Sequence, residues 1–128
     1  MNIALWIVQI LLAVAFGGSG FTKLVTPIPE LVGMVGPWAS EVPELMVRFI
    51  GLSEAAGALG LILPALTRIQ PRLTWLAAGG LAVIMVLAAI FHLTRGEFSG
   101  IIPNIVLLAL SAFVVYGRRT VAPIAPRS

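Results

Sequence analysis

The 128-residue chain contains no cysteine and few charged residues. Without cysteine it can form no disulfide, no C-x-x-C redox pair, no thiolate metal site and no iron–sulfur cluster. Its single histidine cannot supply both ligands of a bis-histidine haem, although one axial ligand is still available. Charged residues make up 10% of the chain, whereas soluble domains average about 25%. We therefore predict no metal site and no soluble domain.

Apolar residues dominate instead, at 59% of the chain and with a mean hydropathy of +1.07. A helix crosses a hydrocarbon core with about 20 apolar residues. Four runs have this length, over residues 3–22, 43–66, 73–92 and 98–116. The first lacks the basic start of a signal peptide, so we expect it to be retained. The sequence predicts an all-α integral membrane four-helix bundle that forms a single domain over residues 1–128.

The basic residues between the runs predict an orientation. One side would hold both termini, the second connection and five arginines: Arg68, Arg72, Arg118, Arg119 and Arg127. The opposite side would hold Lys23, Arg48 and Arg95 together with every loop glutamate. Because basic loops stay in the cytoplasm, we expect both termini there. The pI near 10.7 then reflects topology, and no nucleic-acid partner is expected because the basic residues form no single patch.

The connection between the first two runs, TPIPELVGMVGPWASEVPE, is rich in proline. Its prolines, which interrupt helices, are Pro27, Pro29, Pro37 and Pro43. The segment is nonetheless apolar, with Trp38 as its largest side chain. We expect a Pro-rich extracytoplasmic loop that lies along the interface or covers the bundle mouth as a lid. Trp38 would be an interfacial anchor or part of that lid.

Glu54 is the only acid in the four runs beyond a first helical turn. It would lie roughly 16 Å along the second helix, near the membrane midplane. An isolated acid there costs about 2.5 to 3.5 kcal/mol, so it needs a partner or a proton. Small residues such as Gly20 and Gly51 favour direct packing of the first two spans. That packing would bring Lys23 or Arg48 towards Glu54.

Other polar residues fall at a similar depth, in the half of the bundle away from the termini. By helical rise, this outer half would gather Lys23, Arg48, Glu54, His92, Arg95 and Asn104. The inner half would hold only Gln9 and Ser111. The shared depth of the outer residues predicts one polar site.

Each candidate also has a purely structural explanation. Glu54 would then form an ion pair that only fixes packing, and Arg48 and Arg95 would extend to the interface. His92 and Asn104 would bond to nearby backbone carbonyls. Both kinds of explanation remain open from the sequence alone.

Four short stretches are distinctive: GSGFTKL in the first span, GLSEAAGALGLILP in the second, H-x-x-R-G-E after the third and a closing YGR. With the four-span layout, they resemble the DoxX-like family of small bacterial membrane proteins over nearly the whole chain. The resemblance implies a four-helix bundle in the bacterial inner membrane and a link to quinone redox chemistry. The family takes its name from a subunit of a thiosulfate:quinone oxidoreductase. The resemblance implies no established catalytic residue.

The first functional hypothesis is therefore a site for a quinone or similar lipophilic molecule in the outer half of the bundle. Glu54 and His92 would be catalytic, with Glu54 exchanging a proton. The ligand-binding residues would be Lys23, Trp38, Arg48, Arg95 and Asn104. Electrons would come from a membrane or soluble redox partner, and the cofactor would be the quinone itself.

Two alternatives belong to other classes. Glu54 could serve a small proton-coupled transporter, since a membrane carboxylate can trade a proton for a cationic drug. The strong Lys/Arg asymmetry counts against this, because such exporters insert in both orientations. The chain could also be a non-catalytic accessory subunit of a membrane enzyme. The sequence leaves open whether the bundle acts alone or as a homo-oligomer.

Overall fold

The computed structural model describes residues 1–126, and over that range the chain is helical with no strand. Its helices are α1 (Asn2–Val25), α2 (Ile28–Val35), α3 (Trp38–Glu41), α4 (Glu44–Thr67), α5 (Arg72–Thr94) and α6 (Ile101–Tyr116). A 3₁₀ turn at Phe98–Gly100 precedes α6, and a π-helical turn at Gly117–Val121 follows it. Arg127, which entered the orientation count, lies outside the described residues.

Four helices are long and apolar enough to cross a membrane: α1, α4, α5 and the continuous segment Phe98–Val121. The predicted all-α fold with four membrane-length helices is thereby confirmed. The neighbours in the bundle are α1 with α4, α4 with α5, and α5 with α6, and α6 also contacts α1. We call the end that carries α3 the Trp38 end. The opposite end, where α1 begins and α4 joins α5, is the Arg118 end.

The connection between α1 and α4, expected as an irregular loop, is mostly helical. Pro27, Pro37 and Pro43 each occupy the position just before a helix, at the starts of α2, α3 and α4. The first turn of a helix has N–H groups without intrahelical partners, so proline there sacrifices no hydrogen bond. The prolines therefore divide the segment into short helices instead of preventing helix formation.

The outer surface of the bundle is apolar, and several polar side chains are buried inside it. Ile3, Val14 and Leu45 are 70–81% exposed. Gln9 and Glu54, by contrast, are buried. The core between the helices is built from Leu12, Phe16, Leu61, Leu81 and Val114. Such a surface requires an apolar solvent, so the four helices lie in a lipid bilayer.

Two glycines allow α1 and α4 to touch. A Cβ atom built on Gly20 would lie 2.5 Å from the carbonyl oxygen of Gly51, and one built on Gly51 would lie 2.8 Å from Cβ of Lys23. Neither position can hold a larger side chain without separating the backbones, as is common at membrane helix interfaces. This close approach brings Lys23 of α1 alongside Glu54 of α4.

The crossing can be tested with matched glycine substitutions on α1. Gly20→Ala should separate α1 from α4 and lower the free energy of unfolding by about 1–3 kcal/mol, as overpacking does elsewhere. A Cβ on Gly18 meets nothing within 4 Å, so Gly18→Ala should be neutral or stabilise by about 0.5–1 kcal/mol. Unfolding in mixed detergent with increasing SDS, followed by circular dichroism, measures both. Equal stability of the two variants would contradict the close crossing.

Candidate functional site

Glu54 faces the interior of the bundle, where α1 supplies its partners. Its side chain is 2% exposed, and Lys23 Nζ lies 2.7 Å from Glu54 Oε1. The hydroxyl of Ser19, one turn before Lys23, donates to the same carboxylate at 3.3–3.4 Å. A buried charge is tolerable when it is paired and hydrogen-bonded in this way. Of the two cations that the sequence offered, Lys23 is the one that contacts Glu54.

Arg48 turns away from Glu54 and binds the end of α1. Its Nη1 donates to the carbonyl oxygens of Lys23 and Thr26, both at 2.7 Å. Its Nη2 lies 3.0 Å from Glu44 Oε1, one turn earlier on α4. These bonds satisfy carbonyls that a helix C-terminus leaves without partners. The structure therefore places Arg48 beside the helix end that carries Lys23, outside the cavity described next.

A cavity of about 360 Å³ opens next to Glu54 at the Trp38 end. Five of the seven predicted site residues line it: Lys23, Trp38, Glu54, His92 and Asn104. Most other lining side chains are apolar, including Phe49, Ile84 and Phe91. A larger cleft of about 680 Å³ lies at the Arg118 end, remote from Glu54. The structure thus brings most of the predicted polar residues together in an otherwise apolar cavity.

Two aromatic side chains form one wall of the cavity. Trp38 and Phe91 pack edge to face, with ring centroids 6.1 Å apart. The indole N–H of Trp38 donates to the carbonyl oxygen of Val35 at 3.0 Å, which fixes the ring. Lys23 Nζ lies 5.8 Å from the centroid of the Trp38 ring. Trp38 of α3 and Phe91 of α5 therefore form an aromatic surface close to Lys23.

Asn104 contributes a donor that has no partner. Its side chain lines the cavity, and its Nδ2 is buried without a hydrogen bond to any described residue. An unsatisfied buried donor costs about 1–3 kcal/mol. An acceptor group in the cavity that took this bond would remove the cost.

His92 belongs to an ion-pair network at the rim of the cavity. Its Nδ1 lies 3.0 Å from Glu97 Oε1, which also accepts a bond from Arg95 Nε at 3.0 Å. Arg95 in turn pairs with Glu41 of α3. Arg95 does not line the cavity, and it links the end of α5 to α3. The sequence grouped these glutamates only as loop acids and gave no register that would have paired them.

The rim pairs shift the pKa of two groups outside the membrane spans. The hydrogen bond with His92, and then the hydrogen bond from Arg95, hold the pKa of Glu97 below its ordinary value of 4.5. The hydrogen bonds to Glu41 and then Glu97 raise the pKa of Arg95. Both shifts favour the charged forms, so Glu97 and Arg95 are both ionised at neutral pH.

Sequence reasoning missed the burial of Arg118. This residue is 3% exposed, although its position after α6 suggested a topology signal. Its Nε donates to Gln9 Oε1 at 2.6 Å, and its Nη1 donates to Asn2 Oδ1 at 2.7 Å and to the carbonyl oxygen of Ala122 at 2.9 Å. The sequence contained one indication of this burial, because Arg118 follows Ser111 by seven residues and shares its helical face.

The fold and site define a multi-pass membrane protein with a buried ion pair beside an apolar cavity. The DoxX-like family matches the chain over residues 7–114. The chain therefore belongs to the DoxX-like family, and the resemblance seen in its sequence motifs is confirmed. The matched region includes Glu54, His92 and Asn104. Comparison with curated proteins found no match, and comparison with solved structures found none.

The lowered pKa of Glu97 predicts that acid weakens the rim. Because this pKa is lower in the folded than in the unfolded chain, the stabilisation is complete above the unfolded value and is lost as the pH falls through the folded value. Between about pH 6 and about pH 3, wild type should therefore lose more stability than Glu97→Gln. SDS unfolding midpoints at several pH values measure the difference.

The matched control for this pH dependence is Glu30→Gln, which alters an exposed glutamate of α2. It should keep the wild-type loss of stability in acid. If Glu97→Gln and Glu30→Gln both lost as much stability as wild type, the ionised rim would contribute nothing.

Proposed function

We propose that this protein binds a quinone or a similar lipophilic small molecule in the cavity at the Trp38 end, as a redox-linked enzyme or subunit. The observation that carries the proposal is an apolar cavity that contains the Lys23–Glu54 ion pair and the unpartnered amide of Asn104. A ring with carbonyl oxygens would fit both features. Its faces would pack on the aromatic wall, and one oxygen would accept the Asn104 bond.

The cavity opens towards the lipid-facing surface of the bundle. Phe49 of α4 and Leu87 of α5 both line it, and they are 68% and 61% exposed. A molecule dissolved in the bilayer could therefore enter sideways between α4 and α5. The cavity volume of about 360 Å³ lies within the usual range of about 300–1,000 Å³ for ligand sites. The cavity would hold a ring while an attached apolar tail stayed in lipid.

The residues around the cavity suit proton exchange. A bound quinone would accept electrons together with protons. Glu54 is placed to give or take a proton at the cavity, and Lys23 offsets negative charge there. With Glu97 ionised, His92 would donate from Nδ1 to its carboxylate, which would leave Nε2 to exchange a proton. Glu54 and His92 would thus be the catalytic residues, with Asn104 and Trp38 positioning the ring.

Arg48 and Arg95 would act as positioning residues. Arg48 holds the end of α1 that carries Lys23, and Arg95 holds α3, which carries Trp38. Electrons would come from a partner protein or a soluble donor, because a chain without cysteine holds no iron–sulfur cluster.

The proposed location is a bacterial inner membrane, with the chain forming one membrane domain. The basic residues Arg68, Arg72, Arg118 and Arg119 all lie at the Arg118 end. The positive-inside rule then places this end and both termini in the cytoplasm. The cavity would lie in the outer half of the bundle, below the extracytoplasmic helices α2 and α3.

The test compares small molecules that co-purify with wild type, Glu54→Gln and Glu44→Gln. Glu44 lies on the same helix with its side chain 65% exposed, so its substitution is the matched control. Mass spectrometry of extracts should find a quinone in wild type and in Glu44→Gln, and little or none in Glu54→Gln. In the Glu54→Gln variant Lys23 is left without its carboxylate, so circular dichroism must show that it is folded.

Asn104→Leu separates ligand binding from the ion pair. Its loss of one hydrogen bond of about 1.5 kcal/mol should weaken binding of a short-chain quinone roughly tenfold.

Absence of quinone from wild type would contradict the proposal. In that case, proton-coupled drug efflux in vesicles would favour a transporter that uses Glu54. Loss of assembly along with activity in Glu54→Gln would favour an accessory subunit.

A further inference from the structure

The Arg118 end of the bundle contains a strongly basic cleft. It lies between the α4–α5 connection and the segment after α6, and its volume is about 680 Å³. Four arginines line it: Arg68, Arg72, Arg118 and Arg119. No carboxylate occurs among the described residues that line it. The sequence predicted that the basic residues form no single patch, but four of them meet in this cleft, and no described lining residue balances their charge.

Arg118 is the buried member of this group, so its charge is the most costly one to leave without an anion. It is 3% exposed, and its hydrogen-bond partners are the neutral side chains of Gln9 and Asn2 and a backbone carbonyl. Its Nη2 is buried and has no partner among the described residues. A buried guanidinium without an anion is costly. The positive-inside rule explains arginines in loops, but it does not explain a buried one.

All five glutamate side chains of the chain lie away from this cleft. The carboxylates that form ion pairs in the described residues all do so towards the Trp38 end, where they pair with Lys23, Arg48, His92 and Arg95. At the cleft, Arg119 instead lies 5.1 Å from the ring centroid of Trp75. Among the described residues no carboxylate lies at the cleft, so an external anion can supply the counter-charge for these arginines.

We propose that this cleft binds a phosphate group. Guanidinium groups donate pairs of parallel hydrogen bonds to phosphate oxygens, and several arginines can share one phosphate. Arg68, Arg72 and Arg119 are exposed and can contact the anion directly. Arg118 supplies charge from the buried side. The phosphate could belong to an anionic phospholipid, whose chains stay in the bilayer next to the cleft, or to a soluble molecule.

The test uses the full-length protein, wild type and the double variant Arg68→Gln/Arg72→Gln. Native mass spectrometry from detergent measures retention of phosphatidylglycerol against phosphatidylcholine, and calorimetry measures binding of inorganic phosphate. Arg95→Gln is the control, because it removes a positive charge at the opposite end. Arg119→Gln is a second variant in case the double variant folds poorly, which SDS unfolding reveals.

Wild type should retain phosphatidylglycerol in preference to phosphatidylcholine. The double variant should lose at least about tenfold in affinity, equivalent to about 1.4 kcal/mol, while Arg95→Gln keeps the preference. Phosphate binding without a lipid preference, lost in the double variant, would identify a soluble source. The proposal is overturned if wild type shows neither effect, if the folded cleft variants keep the effect, or if Arg95→Gln loses it equally.

Discussion

The buried ion pair between Lys23 and Glu54 is the constraint on which the rest of this structure depends. Removing one partner of such a pair typically costs about 3–5 kcal/mol, because the other charge is left buried. The pair therefore fixes the register of α1 against α4. Its 2.7 Å distance requires closely packed backbones, which Gly20 and Gly51 permit. Arg48 reinforces the same register by capping the end of α1.

Charge is distributed unequally between the two ends of the bundle. At the Trp38 end, cations and carboxylates pair with each other, and the cavity beside them is mostly apolar. Such a site suits a neutral lipophilic molecule, with one donor and one ion pair available to recognise it. At the Arg118 end, arginines meet without carboxylates in a wide cleft. One fold thus offers two different environments, one towards each end of the bundle.

The sequence predicted how deep each residue lies in the membrane far better than the direction in which its side chain points around the helix axis. Apolar runs gave the four spans, and helical rise placed Glu54, His92 and Asn104 at a shared level, where the structure has one cavity. Depth alone could not separate Arg95, which turns to α3, from the residues that line the cavity. The sequence indicates Arg118 only as one of the basic residues on the side of the termini, whereas contacts with α1 bury it. The helices α2 and α3 were missed because prolines were treated only as breakers.

In the proposed function Glu54, while paired with Lys23, exchanges a proton with a ligand in the cavity. Redox-induced infrared difference spectroscopy of the purified protein with a bound quinone tests this most directly. We expect a carboxyl C=O band that appears or disappears with the redox state, and that is absent in Glu54→Gln but kept in Glu44→Gln. A spectrum with quinone bands but no carboxyl band, or one unchanged by Glu54→Gln, would contradict it.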